Sequence, residues 1–560
     1  MRKGKKVAIA LLSTLLGLPI AIAVVLLAVG AYLYYTADFL APAVEVDIAR
    51  YGLTTDSDSL RTNHFGSLRL NKYGLWEATL RGNAVDRGGA YGVLTKELLD
   101  YQEDAFIEQM NRIVPSPRKI KRLHKLIILF NRNMAKHIPS QYREEIYAMA
   151  QSAAEEYNIY GTPYVRQLNY HAAHDIGHTM QQYMLVGCSS FATWESESSD
   201  GKLLIGRNFD FYVGDNFAKN KMVLFVEPKS GYRFVSICWP GMLGVVSGMN
   251  EHGLTVTINA SKGAMPTSSA MPISLLARHI LQYASTISEA YELAGEFQTF
   301  VSESLLIGSA KDGCAAIIEK SPEQIALFRS DSKRIVCTNH YQSELFATNE
   351  YNIENIATSD SPYRHRRINE LLDSLTPIDP TDAAAILRNR YGDGGKDIGV
   401  GNEKSVNQFI AHHSVLFSPE ELKVWVSTAP WQLGEYICYD LNTVFGSNAD
   451  GCLVSEEFNI PADKEMISTD YPTICRHREQ YMAICAAIES GSEVSEQYIT
   501  DFIANNPNYY QVYNITGDYM LLKKGGKVAA EYWQKALSLE IPRRQEREKI
   551  ANKVERYDKK

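Results

Sequence analysis

Cys188, which follows Gly187, is the residue with the clearest potential for covalent chemistry. A cysteine thiolate is a strong nucleophile, but near neutral pH it needs a base or a lowered pKa. If the bond before Cys188 is cut, the α-amine of the new terminus, whose ordinary pKa is about 8, can accept the thiol proton. Gly187 suits such a cut, because a residue without Cβ permits backbone conformations that bring Sγ to the preceding carbonyl.

Two charged residues follow Cys188 on the next predicted strand, namely Arg207 and Asp210. A hairpin would bring both back toward the start of the first strand. There a guanidinium favours the thiolate, and a carboxylate can hold the freed α-amine. The spacing therefore predicts a cysteine site with a cation and a carboxylate beside it.

The residues around Cys188 resemble the nucleophile region of N-terminal-nucleophile hydrolases of the choloylglycine hydrolase, penicillin V acylase and isopenicillin-N acyltransferase group. The resemblance covers about residues 80 to 430 and rests on six motifs in the order of that family. They are residues 80–82, 187–192, 206–210, 248–259, 338–340 and 361–367.

The resemblance implies roles for the residues of the first hairpin. Cys188 would be the nucleophile, and its freed amine would be the base. Arg207 would lie by the sulfur, and Asp210 would orient the amine. Self-cleavage would fall between Gly187 and Cys188 and separate the first 187 residues, which include the pro-segment, from the remaining 373.

The more distant motifs imply the rest of the site. Asn259 and Asn339 would line the oxyanion hole, and Arg364 would support the nucleophile through the charge network. The resemblance further implies a four-layer αββα sandwich and acyl transfer from an amide bond to Cys188, then to water or to an amine. The substrate would be a small N-acyl amide or another acyl donor, and no cofactor or metal is expected.

Length and composition agree with an enzyme that carries attached helical parts. A chain of 560 residues exceeds what one core usually covers. With 57 basic and 65 acidic residues the formal net charge is −8, and no basic stripe is present, so a nucleic-acid partner is not expected. Eight cysteines without a Cys-x-x-Cys pair argue against a zinc ribbon or a disulfide scaffold.

An uncharged apolar run from Val7 to Tyr35 follows a basic cluster at residues 2–6. As a helix it would be about 43 Å long at 1.5 Å per residue, more than the ~30 Å hydrocarbon layer. The basic cluster should stay in the cytoplasm. We therefore predict a single-pass anchor in the cytoplasmic membrane over residues 1–37, with the catalytic part outside the cytoplasm, in the periplasm if the source is a Gram-negative bacterium.

The hydrophobic periodicity predicts an α+β fold between these segments. A mostly helical pro-segment is expected over residues 38–187 and a catalytic domain over residues 188–460. Further helices are expected at 362–375 and 381–390, the second capped by Thr381. In the catalytic domain, strands are predicted at 188–195, 202–209, 221–226, 232–239, 243–249, 254–259, 304–309, 314–319, 324–329 and 335–338, with helices at 273–283 and 287–297.

The last part of the chain, residues 461–560, is predicted to be helical and rich in tyrosine. Residues 525–537 resemble one tetratricopeptide-like helix pair, and a repeat array needs about three such units to bury its faces. We expect an appendage that packs on the catalytic domain or offers a surface to a protein partner.

Two other functions compete with the amidase or acyltransferase hypothesis. His174 and His178 lie four residues apart on a predicted helix and resemble the zinc-binding His-Glu-x-x-His pattern, with aspartate in place of glutamate. This pattern would suit a zinc-dependent metallopeptidase, although packing near the cleavage site is the plainer role for these histidines. The third hypothesis is a non-catalytic, anchored interaction module.

Overall fold

The computed structural model describes residues 20, 22–114, 116–179, 185–446 and 452–557. Most of the predicted anchor, residues 1–19 and 21, lies outside this part, and residues 22–35 are helical. Among the described residues, no helix combines the length and hydropathy that crossing a bilayer requires. The anchor therefore stays a prediction.

Two large β-sheets form the centre of the protein. The first has eleven strands in the order β1-β2-β3-β4-β9-β10-β11-β12-β13-β14-β15, and the second has six in the order β16-β6-β7-β17-β18-β19. A third, two-stranded sheet pairs β5 with β8. The strands are β1 (Thr55–Asp56), β2 (Leu60–Asn63), β3 (Gly66–Leu70), β4 (Trp76–Gly82), β5 (Leu185–Val186), β6 (Ser189–Thr193), β7 (Leu204–Phe209), β8 (Phe211–Tyr212), β9 (Met222–Pro228), β10 (Phe234–Cys238), β11 (Ser247–Asn250), β12 (Leu254–Ala260), β13 (Glu303–Ser309), β14 (Cys314–Lys320), β15 (Ile325–Phe328), β16 (Arg334–Cys337), β17 (His413–Ser418), β18 (Lys423–Ser427) and β19 (Tyr436–Asp440).

The helices flank these sheets and fill the C-terminal part. They are α1 (Ala84–Leu94), α2 (Lys96–Ile113), α3 (Pro117–Asn131), α4 (Ser140–Ala150), α5 (Pro163–His171), α6 (Ala173–Thr179), α7 (Ile273–Tyr283), α8 (Ile287–Glu296), α9 (Glu350–Thr358), α10 (Ser361–Leu375), α11 (Pro380–Arg388), α12 (Leu441–Gly446), α13 (Lys464–Ser468), α14 (Asp470–Ser490), α15 (Glu496–Asn505), α16 (Tyr510–Lys523), α17 (Gly526–Leu537) and α18 (Arg544–Tyr557). The cap of α11 is Asp379 and not Thr381 as predicted, because Asp379 and Asp382 form a capping box across the first turn.

Side-chain alternation along the strands places the two sheets face to face. In β9, Val223 and Phe225 pack between the sheets, whereas Leu224 packs beneath helices on the outer face. In β18, Val424 faces the other sheet and Trp425 packs under α10 and α11. Because every second residue points to the same face of a strand, each sheet is apolar on both faces and is covered by helices outside. The layer order is helix, sheet, sheet, helix.

The segment before Cys188 is built into this sandwich. Its strands β1 to β4 extend the larger sheet, and β4 pairs in parallel with β9 from Trp76↔Met222 to Gly82↔Pro228. Glu145 of α4 is fully buried between Arg87 of α1, at 2.6 Å, and Arg278 of α7, at 2.7 Å. The pro-segment is thus attached by backbone hydrogen bonds and by a buried ion triad.

Candidate active site

The hairpin of β6 and β7 brings the first candidate residues together. The strands are antiparallel with Ser190 opposite Arg207, so Arg207 returns to the start of β6. Its Nη2 donates to Sγ of Cys188 at 3.6 Å. The sequence therefore predicted this pairing correctly, because a short hairpin fixes which residues face each other.

Arg207 and Cys188 are both fully buried. The guanidinium also donates to the carbonyl oxygens of Val246, at 2.6 Å, and of Ile258. Burial raises the pKa of the Cys188 thiol to about 11, and the nearby charge of Arg207 opposes that rise. In the uncut chain the thiol is therefore protonated near neutral pH, and nucleophilic attack requires a proton acceptor.

Arg364 of α10 reaches the backbone of the nucleophile. Its Nη1 donates to the carbonyl oxygen of Cys188 at 2.7 Å and to Oγ of Ser189 at 2.9 Å. Its Nη2 donates to Oδ1 of Asn339 at 2.8 Å and lies 3.2 Å from Oδ1 of Asp360. One fully buried guanidinium thus joins the nucleophile to the candidate oxyanion-hole residue Asn339.

The two candidate oxyanion-hole residues have different surroundings. Asn339 Nδ2 donates to the carbonyl oxygen of Ala260 at 2.8 Å. Asn259 is fully buried, and its Nδ2 donates to the carbonyl oxygen of Cys337 at 3.0 Å while its Oδ1 accepts from Ser190 Oγ at 3.0 Å. Each side-chain amide has a second N–H group that these bonds do not use. That N–H could donate a hydrogen bond to an oxyanion. Their catalytic roles stay predictions.

Asp210 and Gly187 lie at the same strand edge. The backbone N–H of Gly187 donates to the carbonyl oxygen of Asp210 at 3.1 Å. Burial raises the pKa of the Asp210 carboxyl to about 8, against the lowering influence of Arg364 and Arg207. Neither carboxyl oxygen has a hydrogen-bond partner among the described residues. Asp210 thus carries a carboxyl group that is neutral near pH 7, and its backbone is hydrogen-bonded to the residue before the predicted cleavage site.

Three supporting residues were not singled out from the sequence. Asp360, four residues before Arg364, forms the ion pair given above, and an i,i+4 pair at a helix start could have revealed it. Ser361 Oγ accepts from the backbone N–H of Asn339 at 2.7 Å, and Ser189 Oγ accepts from Arg364. Small polar residues carry little pattern of their own, so these contacts become visible only in the fold.

His174 lies in a buried group with two carboxylates. Its Nδ1 is 3.4 Å from Asp175 Oδ1 and 3.6 Å from Glu303 Oε1. Burial and the charge of Asp175 raise the pKa of Glu303 well above its ordinary value. One donor atom from each residue lies within 4.8 Å of the others, a spacing that could hold a metal ion. The side chain of His178 lies outside the described part, so the predicted zinc pair stays a prediction.

The residues thus brought together can carry acyl transfer. The buried thiol of Cys188 lies against the guanidinium of Arg207, and the carbonyl oxygen of Cys188 accepts from the guanidinium of Arg364. Asp210, whose carboxyl has a raised pKa, is joined to Gly187 by a backbone hydrogen bond. This is an inventory of nucleophile, proton carrier and hydrogen-bond donors.

Comparisons with known proteins agree with this inventory. Residues 196–430 match the family described as acyl-coenzyme A:6-aminopenicillanic acid acyl-transferase. This range contains Arg207, Asp210, Asn259, Asn339 and Arg364 and begins shortly after Cys188.

Two relatives resemble a larger part of the chain. An uncharacterized protein of Archaeoglobus fulgidus is 23% identical over 482 residues, which cover 78% of this chain and 77% of that protein. Protein dcd1B of Dictyostelium discoideum is 23% identical over 272 residues, or 45% of this chain and 52% of the relative, so the chain spans about half of its length.

Two solved structures are similar at 15% identity. An N-acylethanolamine-hydrolyzing acid amidase ortholog of Caenorhabditis elegans has a TM-score of 0.31 and covers 42% of this chain and 93% of its own. A mutant of the conjugated bile acid hydrolase of Clostridium perfringens has a TM-score of 0.32 and covers 48% of this chain and 95% of its own.

Proposed function

We propose that the chain is a self-cleaving cysteine hydrolase or acyltransferase acting on amide bonds, on the premise that residues 196–430 match the family described as acyl-coenzyme A:6-aminopenicillanic acid acyl-transferase. One observation carries the proposal. The thiol of Cys188 lies against Arg207, at 3.6 Å, while Arg364 holds the carbonyl oxygen of the same residue, at 2.7 Å.

Activation would begin with attack of Cys188 Sγ on the carbonyl carbon of Gly187. The bond from that carbon to the nitrogen of Cys188 breaks, and the leaving amine takes up a proton. Asp210, protonated near neutral pH because of its raised pKa, would give its proton to that amine and would regain one from the thiol of Cys188. Water then hydrolyses the thioester, which frees the thiol and leaves a terminal amine at Cys188.

In the processed form the amine of Cys188 would take the thiol proton, and the carboxylate of Asp210 would hold the amine. The thiolate attacks the carbonyl carbon of an N-acyl amide, and the amide N–H groups of Asn259 and Asn339 stabilise the oxyanion. Loss of one such donor typically costs about 2.7 to 4 kcal/mol of transition-state stabilisation. The leaving amine departs, and water or an acceptor amine takes the acyl group.

An apolar cavity in the structure supports the proposal that the substrate carries an apolar acyl group. It has a volume of about 120 Å³ and is walled by helices α2, α3, α5 and α6 of the pro-segment, together with Tyr212 and Val213 of the catalytic part. Tyr212 lies in β8, which pairs with β5, the strand that leads into Gly187.

Intact mass and N-terminal sequencing of the folded protein test the proposal. The wild-type chain should yield a new terminus at Cys188, and the Cys188→Ala chain should remain whole. A folded wild-type chain that stays uncut would refute self-cleavage. A screen of the processed protein against N-acyl amides of increasing chain length would then identify the acyl group.

We further propose that residues 1–37 anchor the enzyme in the cytoplasmic membrane with the catalytic part outside the cytoplasm. The basic cluster and the apolar run support this topology. Protease treatment of intact spheroplasts should remove the catalytic part, and its protection there would contradict the proposed orientation.

A further inference from the structure

A chain of buried hydrogen bonds leads from Arg207 away from Cys188. Nη1 of Arg207 donates to Oγ of Ser247, and that oxygen lies 2.7 Å from Nε2 of His413. Nδ1 of His413 lies 3.0 Å from Nδ1 of His412. All four side chains are buried, where polar groups generally need hydrogen-bond partners within the protein.

The donor-to-acceptor direction of this series of hydrogen bonds is set by Arg207. A guanidinium can only donate, so Ser247 Oγ accepts from Arg207 and can give its own proton to Nε2 of His413. A neutral His413 then carries its proton on Nδ1 and donates it to Nδ1 of His412. Burial lowers the pKa of His412 to about 3 and that of His413 well below its ordinary value, so both rings are neutral near pH 7. We therefore assign the proton of His412 to Nε2.

This last N–H belongs to a residue that lines a cavity of about 270 Å³. Nε2 of His412 has no hydrogen-bond partner among the described residues, and the ring is 1% exposed. The chain of donors thus ends at a residue of the cavity wall, on a buried N–H group that has no acceptor within the described part of the protein.

A buried lysine lines the same cavity. Lys221 is 6% exposed, and its Nζ donates to the carbonyl oxygen of Ser427 at 2.6 Å and to Ser427 Oγ at 3.2 Å. Within the described residues its ammonium forms no ion pair, and burial lowers its pKa to about 7. A charge without a counter-ion is costly in a buried place unless an anion can approach it.

The rest of the lining suits an organic acid. The one carboxylate in the described wall is Asp215, which is held by Arg478 at 3.3 Å and by the hydroxyl of Tyr212 at 3.0 Å. A second lysine, Lys219, also lines the cavity and is exposed. The apolar part of the wall includes Leu75, Ala411, Pro430, Trp431 and Tyr471.

We propose that this cavity binds a small organic carboxylate, whose oxygens accept from Nε2 of His412 and from Nζ of Lys221 while its hydrocarbon part packs on the apolar wall. Three hydrogen bonds connect His412 to Arg207, and the bond from His412 to the ligand would be the fourth, so the cavity is a candidate effector site for Cys188. The binding claim is independent of the proposed function, because it requires neither cleavage nor turnover.

Butyrate is a suitable probe, and butyramide is its neutral counterpart. Calorimetry on the full chain at constant ionic strength should show saturable binding of butyrate and none of butyramide. Lys221→Met and His412→Phe should each weaken binding by about tenfold or more, since a hydrogen bond to a charged group is worth about 1.5 to 3 kcal/mol. Lys320→Met is the matched control, because Lys320 is also 6% exposed and lies outside the cavity.

Equal binding of butyrate and butyramide, no saturable binding, or unchanged affinity in both variants would overturn the proposal. If the variants do not fold, the wild type still decides the question. A tautomer-resolved proton–nitrogen spectrum should place the His412 proton on Nε2 and show its resonance shifting on addition of butyrate. A proton on Nδ1, or a resonance that does not respond, would contradict the site.

Discussion

Replacing Arg364 with lysine tests the proposed role of the charge network most directly. The guanidinium has four partners: the carbonyl oxygen of Cys188, Ser189 Oγ, Asn339 Oδ1 and Asp360. A lysine ammonium keeps the charge but presents its three N–H groups from a single nitrogen. It can keep the ion pair with Asp360 or the contact with Cys188, but it cannot span both Cys188 and Asn339.

The expected loss follows from these contacts. Each hydrogen bond to a charged donor contributes about 1.5 to 3 kcal/mol, and at least one of the four is lost. If Asn339 is no longer oriented, the oxyanion loses a donor worth about 2.7 to 4 kcal/mol. We therefore expect self-cleavage of Arg364→Lys to be slower by about 100- to 1,000-fold, with a smaller effect on the unfolding temperature.

Self-cleavage needs no substrate, so its rate can be followed by intact mass from the moment of purification. Arg366→Lys is the control, because Arg366 lies on the same helix, is 57% exposed and pairs with Asp393 at the surface. Surface pairs of this kind contribute about 0 to 1 kcal/mol. Cleavage of a folded Arg364→Lys chain within threefold of the Arg366→Lys rate would refute the reasoning.

Three further predictions concern the other buried groups. In the uncut Cys188→Ala chain, Asp210 binds its proton more tightly when folded, with a pKa of about 8 against an ordinary 3.8, so its stabilising contribution is present in acid and lost as the pH rises toward 8. The double variant Cys188→Ala/Asp210→Asn should therefore have a higher free energy of unfolding than Cys188→Ala alone, and the difference should grow with pH by at most about 1.4 kcal/mol per pH unit. A difference in denaturant unfolding that does not change with pH would contradict this. Glu145→Gln should lower the free energy of unfolding by about 3 to 5 kcal/mol, because it breaks the buried ion triad, and the two processed pieces should then separate in gel filtration. The neighbouring Glu144→Gln should have neither effect. Equal behaviour of the two variants would show that the ion triad does not attach the pro-segment. Ser361→Ala should slow self-cleavage by about tenfold through loss of the bond to Asn339, and an unchanged rate would show that this bond does not position the amide.

The secondary structure after Cys188 was largely predictable because its apolar residues alternate cleanly. The helix predicted at 273–283 is found at Ile273–Tyr283, and the strand predicted at 254–259 is found at Leu254–Ala260. The pro-segment was harder to interpret. Its strands β1 to β4 are short or irregular in pattern. β4 pairs with β9, whose residues lie 146 positions further along the chain, and β1 to β3 add to β4 as antiparallel strands.

In the candidate site, too, contacts between nearby segments were predictable from the sequence and contacts between distant segments were not. The pairing of Cys188 with Arg207 depends on a short hairpin, and the sequence predicts it from local spacing. The contact of Arg364 with Cys188 was available only through the family resemblance, since 176 residues separate the two. The chain from Ser247 to His412 has neither a local pattern nor a motif, so only the packing of β11 against β17 reveals it.

The parallel pairing of β4 with β9 has a consequence for how the protein can be recovered after denaturation. Before cleavage, folding is a unimolecular reaction, because both strands belong to one chain. After the proposed cut, the same seven paired positions join two separate polypeptides. Refolding then becomes bimolecular and concentration-dependent, with the entropy of association added to its barrier. The cleaved protein would therefore refold less readily after denaturation than the uncut chain does.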